Sequence, residues 1–125
     1  MSQQSFRAAA VALSAVTLLA ATLAVTASAG PAKGDAAAGK TLYMTKCIAC
    51  HKKDGTGGFK LTGLPTANWT LKKTWDATRT DAYLRDCITN GKLKSGMVAW
   101  GKTGQIKPAD IENLIAYINT LAKKK

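Results

Sequence analysis

The chain has 125 residues, 18 Lys and Arg against 7 Asp and Glu, and a formal net charge of +11 at neutral pH. That length holds one small domain, and the charge points to an acidic partner while saying nothing of the fold. Nucleic acid is set aside as that partner. The basic residues are scattered as singles and pairs apart from Lys123-Lys124-Lys125, and no recognition motif accompanies them.

After Arg7, the stretch from Ala8 to Val25 is a run of Ala, Val and Leu broken only by Ser14, Thr17 and Thr22. Thr26-Ala27-Ser28-Ala29 follows, with small residues where a signal peptidase reads an A-x-A site. A basic start, an apolar middle and a small-residue exit read as a secretory signal peptide over residues 1–29, cleaved after Ala29. The alternative is an uncleaved anchor, since the 18-residue run lies near the lower limit for spanning a bilayer. No cysteine lies near the cleavage point, which argues against a lipid-anchored product. Cleavage leaves one domain, residues 30–125, with 17 basic and 7 acidic residues and a net charge of +10. A domain of that size often needs a metal, a disulfide or a cofactor to complete its core.

Asp35 caps an expected helix over Ala36–Lys46 that runs into a cysteine motif. From Lys52 to Asn68 the chain carries Gly55, Gly57, Gly58, Gly63 and Pro65, too many breakers for a regular element. Trp69 to Thr78 gives no clear pattern. A second helix is expected from Asp81 to Asn90, capped by Thr80, stopped by Gly91, with Leu84, Cys87 and Ile88 on its apolar face. A glycine-rich loop, Gly91 to Gly104, holds Met97 and Trp100. The last helix opens with Pro108, carries Asp110 and Glu112 near its positive end, and repeats Ile111, Leu114, Ile115, Ile118 and Leu121 at helical spacing. No stretch alternates as a strand does, so the domain is expected to be nearly all α.

Cys47-Ile48-Ala49-Cys50-His51 is the strongest chemical signal. Two cysteines three apart share one side of a helical turn, where each sulfur can form a thioether with a haem vinyl group, and the next residue offers an imidazole to the iron. C-x-x-C-H is the attachment pattern of c-type haem. A thioredoxin-like redox pair would need a βαβ context that the sequence lacks. A zinc site would need four ligands, and only Cys87 remains as a further Cys or His. A structural disulfide would leave the histidine unexplained.

The second axial ligand follows by elimination. His51 is the chain's one histidine, and outside the leader there are two methionines, Met44 and Met97. Met44 precedes His51 by seven residues on the same expected helix and is poorly placed to reach the other haem face. Met97 lies 46 residues downstream in a glycine-rich loop, free to close over that face. The alternative makes Met97 an ordinary surface or core residue, with lysine, water or nothing at the iron. A His51/Met97 pair raises the haem potential and fills both axial positions, which favours electron transfer over catalysis.

With these residues the sequence resembles the class I c-type cytochromes, small soluble bacterial monohaem members in particular, over essentially the whole chain after the leader. The resemblance rests on Gly39 and Tyr43 before the motif, CIACH at 47–51, Pro65, SGMVAW at 95–100, and the terminal helix with Tyr117. It implies an all-α cytochrome c fold, with N- and C-terminal helices crossing closely around one covalent haem c, and Gly39, Tyr43 and Tyr117 at the crossing. It also implies that the Pro65 carbonyl accepts a hydrogen bond from the His51 ring, orienting it. Two features depart from the family: Val98-Ala99 replaces the proline that usually follows the methionine, and Cys87 is an additional cysteine.

Cys87 shares an apolar helix face with Leu84 and Ile88, which suits a buried thiol; a disulfide-linked dimer is the other reading. Trp69 and Trp100 can donate an indole hydrogen bond to a haem propionate or simply pack. Lys52, Lys53, Lys92, Lys94 and Lys102 can ring an exposed haem edge or be plain solvated lysines. The expected function is periplasmic single-electron transfer by a monomeric, non-enzymatic carrier. It would dock transiently on acidic redox proteins, with no stable membrane insertion once the leader is cut. Two alternatives stand beside it: a haem c subunit of a larger oxidoreductase, and an open-iron gas sensor or peroxidase.

Overall fold

The computed structural model describes residues 32–122. The expected signal peptide and the Lys123-Lys124-Lys125 tail lie outside the described residues.

Four α-helices carry the fold: α1 (Ala36–Lys46), α2 (Ile48–His51), α3 (Asp81–Asn90) and α4 (Pro108–Ala122), and no strand occurs among the described residues. The start signals work as expected. Asp35 accepts hydrogen bonds from the N–H groups of Ala37 and Ala38 at 2.7 and 3.4 Å, and Thr80 accepts from Tyr83 N–H at 3.3 Å. Pro108 opens α4, where its missing N–H costs nothing. The ambiguous stretch after Trp69 holds only a 3-10 turn, Lys72–Thr74. A second such turn, Leu93–Ser95, interrupts the loop that carries Met97.

The core forms where α1 crosses α4. Ile111, Leu114, Ile115, Tyr117, Ile118 and Leu121 are all buried on α4, each aliphatic one contributing about 1.5–3 kcal/mol. Gly39 is why the helices approach so closely: a Cβ there would stand 1.8 Å from the Asn113 carbonyl oxygen. One turn on, Tyr43 meets Tyr117 edge-to-face, ring centroids 5.1 Å apart. At the helix start, Asp35 N–H donates to Asn113 Oδ1 at 2.7 Å. The resemblance's crossing of first and last helices is therefore present, with Gly39, Tyr43 and Tyr117 at its centre. α3 packs on α4 through Leu84 and Ile88 and is tied to it by the Arg85–Glu112 ion pair. Among the described residues no helix is long and apolar enough to cross a membrane.

Candidate cofactor site

The motif starts where α1 stops. Cys47 is the C-cap of α1, its N–H donating to the Tyr43 carbonyl at 2.9 Å, and α2 is a single turn closed by His51 N–H to the Cys47 carbonyl, also 2.9 Å. That turn brings Cys47, Cys50 and His51 to one cavity of about 310 Å³, to which the Met97 loop also contributes. Leu84, Ile88, Leu114 and Ile118 supply apolar wall from α3 and α4.

Met97 is held at the cavity by a local turn. Lys92 and Met97 pair through two backbone hydrogen bonds, N–H to carbonyl in each direction, at 3.0 and 3.1 Å. Gly96 makes that turn possible with φ of 79°, and a Cβ there would strike Leu61 at 2.4 Å. Met44 does not line the cavity. It opens onto a separate groove with Lys40, Lys52, Lys53, Asp54 and Tyr117.

Thr66 fastens the loop between the motif and Trp69. Its hydroxyl donates to the Cys50 carbonyl at 2.8 Å and accepts from Phe59 N–H at 3.1 Å. Thr62 reaches across to the other loop, donating to the Lys94 carbonyl at 2.7 Å. Between these ties, Phe59, Leu61 and Leu64 line the cavity yet remain exposed, Leu61 by 63% and Leu64 by 81%. Apolar side chains turned toward a cavity and left open are incompletely covered by the chain itself.

The polar groups point the same way. Burial lowers the pKa of His51, which keeps its imidazole neutral, the form able to bind a metal. Its Nδ1 is buried without a hydrogen-bond partner. The hydrogen bond to the Pro65 carbonyl implied by the resemblance is therefore not made; Pro65 only lines the cavity, and the loop is fastened one residue later, at Thr66. Burial, with Cys50 beside it, pushes the Cys47 thiol up to about 11, and neither motif cysteine is in a disulfide. An apolar cavity with two free thiols, a neutral imidazole and a thioether fits haem c.

The remaining expectations divide. Cys87 is buried on the cavity wall, which argues against a bridge between two chains. Trp69 is buried, stacks on the His51 ring with centroids 6.0 Å apart, and is held by Trp75, whose Nε1 donates to the Trp69 carbonyl at 2.7 Å. Trp100 lines the cavity with Lys46 Nζ 5.7 Å from its ring centroid. Of the five lysines left open between a haem edge and plain solvated surface, Lys92 lines the cavity, whereas Lys52 and Lys53 line the separate groove. The reason is local: Lys52 has φ of 59°, which turns the chain away just after His51. Lys46, Thr66 and the apolar rim were not picked out from the sequence. A threonine after Pro65 and a lysine just before Cys47 were the available signals, and neither carries a period or motif.

Comparisons with known proteins agree with the geometry. The sequence pattern of the family described as cytochrome c oxidase, cbb3-type, subunit III matches residues 34–118. Cytochrome c-554(547) of Halothiobacillus neapolitanus is 40% identical over 93 residues, covering 70% of this chain and 98% of that protein. The cbb3-type cytochrome c oxidase subunit FixP of Bradyrhizobium sp. (strain ORS 278) is 32% identical over 91 residues, 73% of this chain, which spans only 29% of FixP. Among solved structures, the KustC0563 c-type cytochrome superposes with a TM-score of 0.52 at 20% identity, covering 66% of this chain and 95% of that one. Crossed terminal helices, a CxxCH turn at an apolar cavity and a family match over most of the chain have one common explanation: this chain belongs to the c-type cytochromes, electron-transfer proteins that hold haem c covalently.

Proposed function

We propose that the chain is a periplasmic single-electron carrier, secreted by a signal peptide at residues 1–29 and folded over residues 30–125 around one haem. Cys47 and Cys50 would hold it through thioethers, and His51 and Met97 would ligate its iron. The observation that carries this reading is the shared cavity: the motif turn and the Met97 loop open onto it together, and Met44 does not. When bound, haem supplies a one-electron iron couple. The chain's own residues do the rest. The two thiols would anchor it, His51 and Met97 would both ligate the iron and so leave no open position for a substrate, and the walls from α3 and α4 would keep water away. Open apolar side chains at Leu61 and Leu64, with Lys46 and Lys92 beside the cavity, suit brief docking to an acidic redox protein by a monomer, since electron-transfer encounters bury little surface.

The similarity to FixP supports a second reading, a haem c subunit of a larger oxidase. Near-complete coverage of the small Halothiobacillus cytochrome favours the free carrier.

The test uses the secreted, haem-loaded protein. Acid-acetone extraction followed by pyridine haemochrome analysis should leave one haem per chain in the protein fraction. Met97→Ala should abolish the weak near-infrared sulfur-to-iron band, lower the potential and admit carbon monoxide. Haem lost to the solvent would end the covalent reading, and an unchanged band would assign the sixth position to another residue.

A further inference from the structure

Tyr43 is completely buried, and its hydroxyl serves the motif rather than the helix crossing. Its single proton is shared between two successive carbonyl oxygens, those of His51 at 3.2 Å and Lys52 at 3.0 Å. The same oxygens accept the backbone N–H groups of Gly57 and Gly55, both at 3.2 Å. Lys52, between them, is the one non-glycine residue among those described with positive φ, at 59°, a backbone state that resists an ordinary side chain. The exit from His51 is thus a strained turn held from two sides. Gly55 and Gly57 hold it from within its own loop, and Tyr43 holds it from α1.

Restraint matters here because the His51 ring has little of its own. Its buried Nδ1 has no hydrogen-bond partner, so no polar side-chain contact fixes the ring plane. What remains is the stacked Trp69 ring and the position of the His51 backbone. Tyr43, in turn, is set by the helix crossing. Gly39 determines how deep α1 lies on α4, and Tyr117 braces the Tyr43 ring edge-to-face. A continuous line of contacts therefore runs from the α1–α4 crossing to the backbone of His51.

We infer that Tyr43 is a positioning residue for the axial histidine: its hydroxyl pins the turn after His51, fixes the imidazole plane and so couples the helix crossing to the ligand field at the iron. This rests on the proposal that His51 ligates haem.

The test compares the haem-loaded full chain with Tyr43→Phe, which keeps the ring and removes the donor, and with Tyr117→Phe as the control that loses a hydroxyl elsewhere. Tyr43→Phe should retain covalent haem and the near-infrared methionine band. It should shift both the midpoint potential and the g values of the ferric low-spin electron paramagnetic resonance spectrum, which report the orientation of the axial ring. Tyr117→Phe should leave both where they are. A lower melting temperature in Tyr43→Phe with unmoved potential and g values would overturn the inference, because the hydroxyl would then only stabilise the fold. Should Tyr43→Phe fail to accumulate, 3-fluorotyrosine placed at position 43 keeps ring and hydroxyl but strengthens the donor. It should move the same two quantities, and their constancy would overturn the inference equally. Histidine ligation is checked separately, in the unaltered protein, by the imidazole signature in that spectrum; its absence would remove the underlying reading whatever the variants show.

Discussion

The α1–α4 crossing and the cavity rim are built on opposite terms. At the crossing, Tyr43, Leu114 and Leu121 are essentially without exposed surface, and only its inner edge, at Tyr43, Leu114 and Ile118, borders the cavity. At the rim, Leu61 and Leu64 stand open and the two loops that carry them and Met97 are joined by single hydrogen bonds such as Thr62 to the Lys94 carbonyl. The crossing is closed mainly by protein against protein, and the rim is left open around the cavity. Stability should therefore concentrate in the first region and redox function in the second, so substitutions in the two should fail in different ways.

Breaking the crossing should have the largest effect. In Gly39→Val a β-branched side chain would enter a space where even a single Cβ meets the Asn113 carbonyl oxygen at 1.8 Å. Separating the helices to admit it should cost roughly 3 kcal/mol or more, a large part of the stability of a domain this size. The expected outcome is little or no folded, haem-loaded protein in secreted fractions, measured by haem staining of gels. Normal yield with an unchanged melting temperature would show that the contact is not close.

At the rim, charge should alter rate and leave stability alone. Lys46 and Lys92 line the cavity, and Lys53 lines the separate groove. Screening lengths shrink from about 30 Å at 0.01 M salt to about 8 Å at 0.15 M, and charge complementarity acts mainly on association. Stopped-flow electron transfer to an acidic redox protein should thus slow about tenfold across that range. Lys46→Glu and Lys92→Glu should each lower the low-salt rate several-fold, Lys53→Glu much less, and all three should melt close to the parent protein. A rate flat with salt, or Lys53→Glu as the slowest variant, would move the docking face elsewhere.

The same division explains what could be read from the sequence. Caps at Asp35 and Thr80, Pro108 at a helix start and the i, i+3, i+4 series of α4 are local, periodic signals, and each marks the element found. CxxCH is equally local. The stretch after Asn68 was illegible because its order comes from short side-chain bonds that have no period, Asn68 Oδ1 with Thr70 and Asp76 Oδ1 with Thr78. Which way Lys52 and Lys53 face was open in the sequence, because adjacency to His51 says nothing of the backward turn at Lys52. The rim resisted reading for a related cause: Leu61 touches Gly96 across 35 positions, and nothing in either loop announces the other.

The Arg85–Glu112 pair sharpens the comparison with the smallest expected effect, because it belongs to the helix framework yet acts by charge. Arg85 donates from Nε and Nη2 to the two carboxylate oxygens of Glu112, the second at 2.8 Å, joining α3 to α4. The Glu112 side chain is 15% exposed and the Arg85 side chain 34%, so solvent screens the pair in part. The hydrogen bonds from Arg85 hold the Glu112 carboxyl below its ordinary value of 4.5. A depressed folded-state pKa means that the unfolded chain binds the proton more readily. The pair's contribution is therefore fully present above the ordinary carboxylate range and is lost as pH falls through the folded-state value. Glu112→Gln keeps the shape and one acceptor but removes the charge, and should cost about 0.5–1 kcal/mol at pH 7, or roughly 2–8 °C in melting temperature for a domain of this size. Thermal melts of the two proteins across pH should show that gap narrowing below about pH 4.5 and closing once the folded-state carboxyl is protonated. A gap of constant size would mean that Glu112 supports α3 by packing and hydrogen-bond geometry, with its charge contributing nothing.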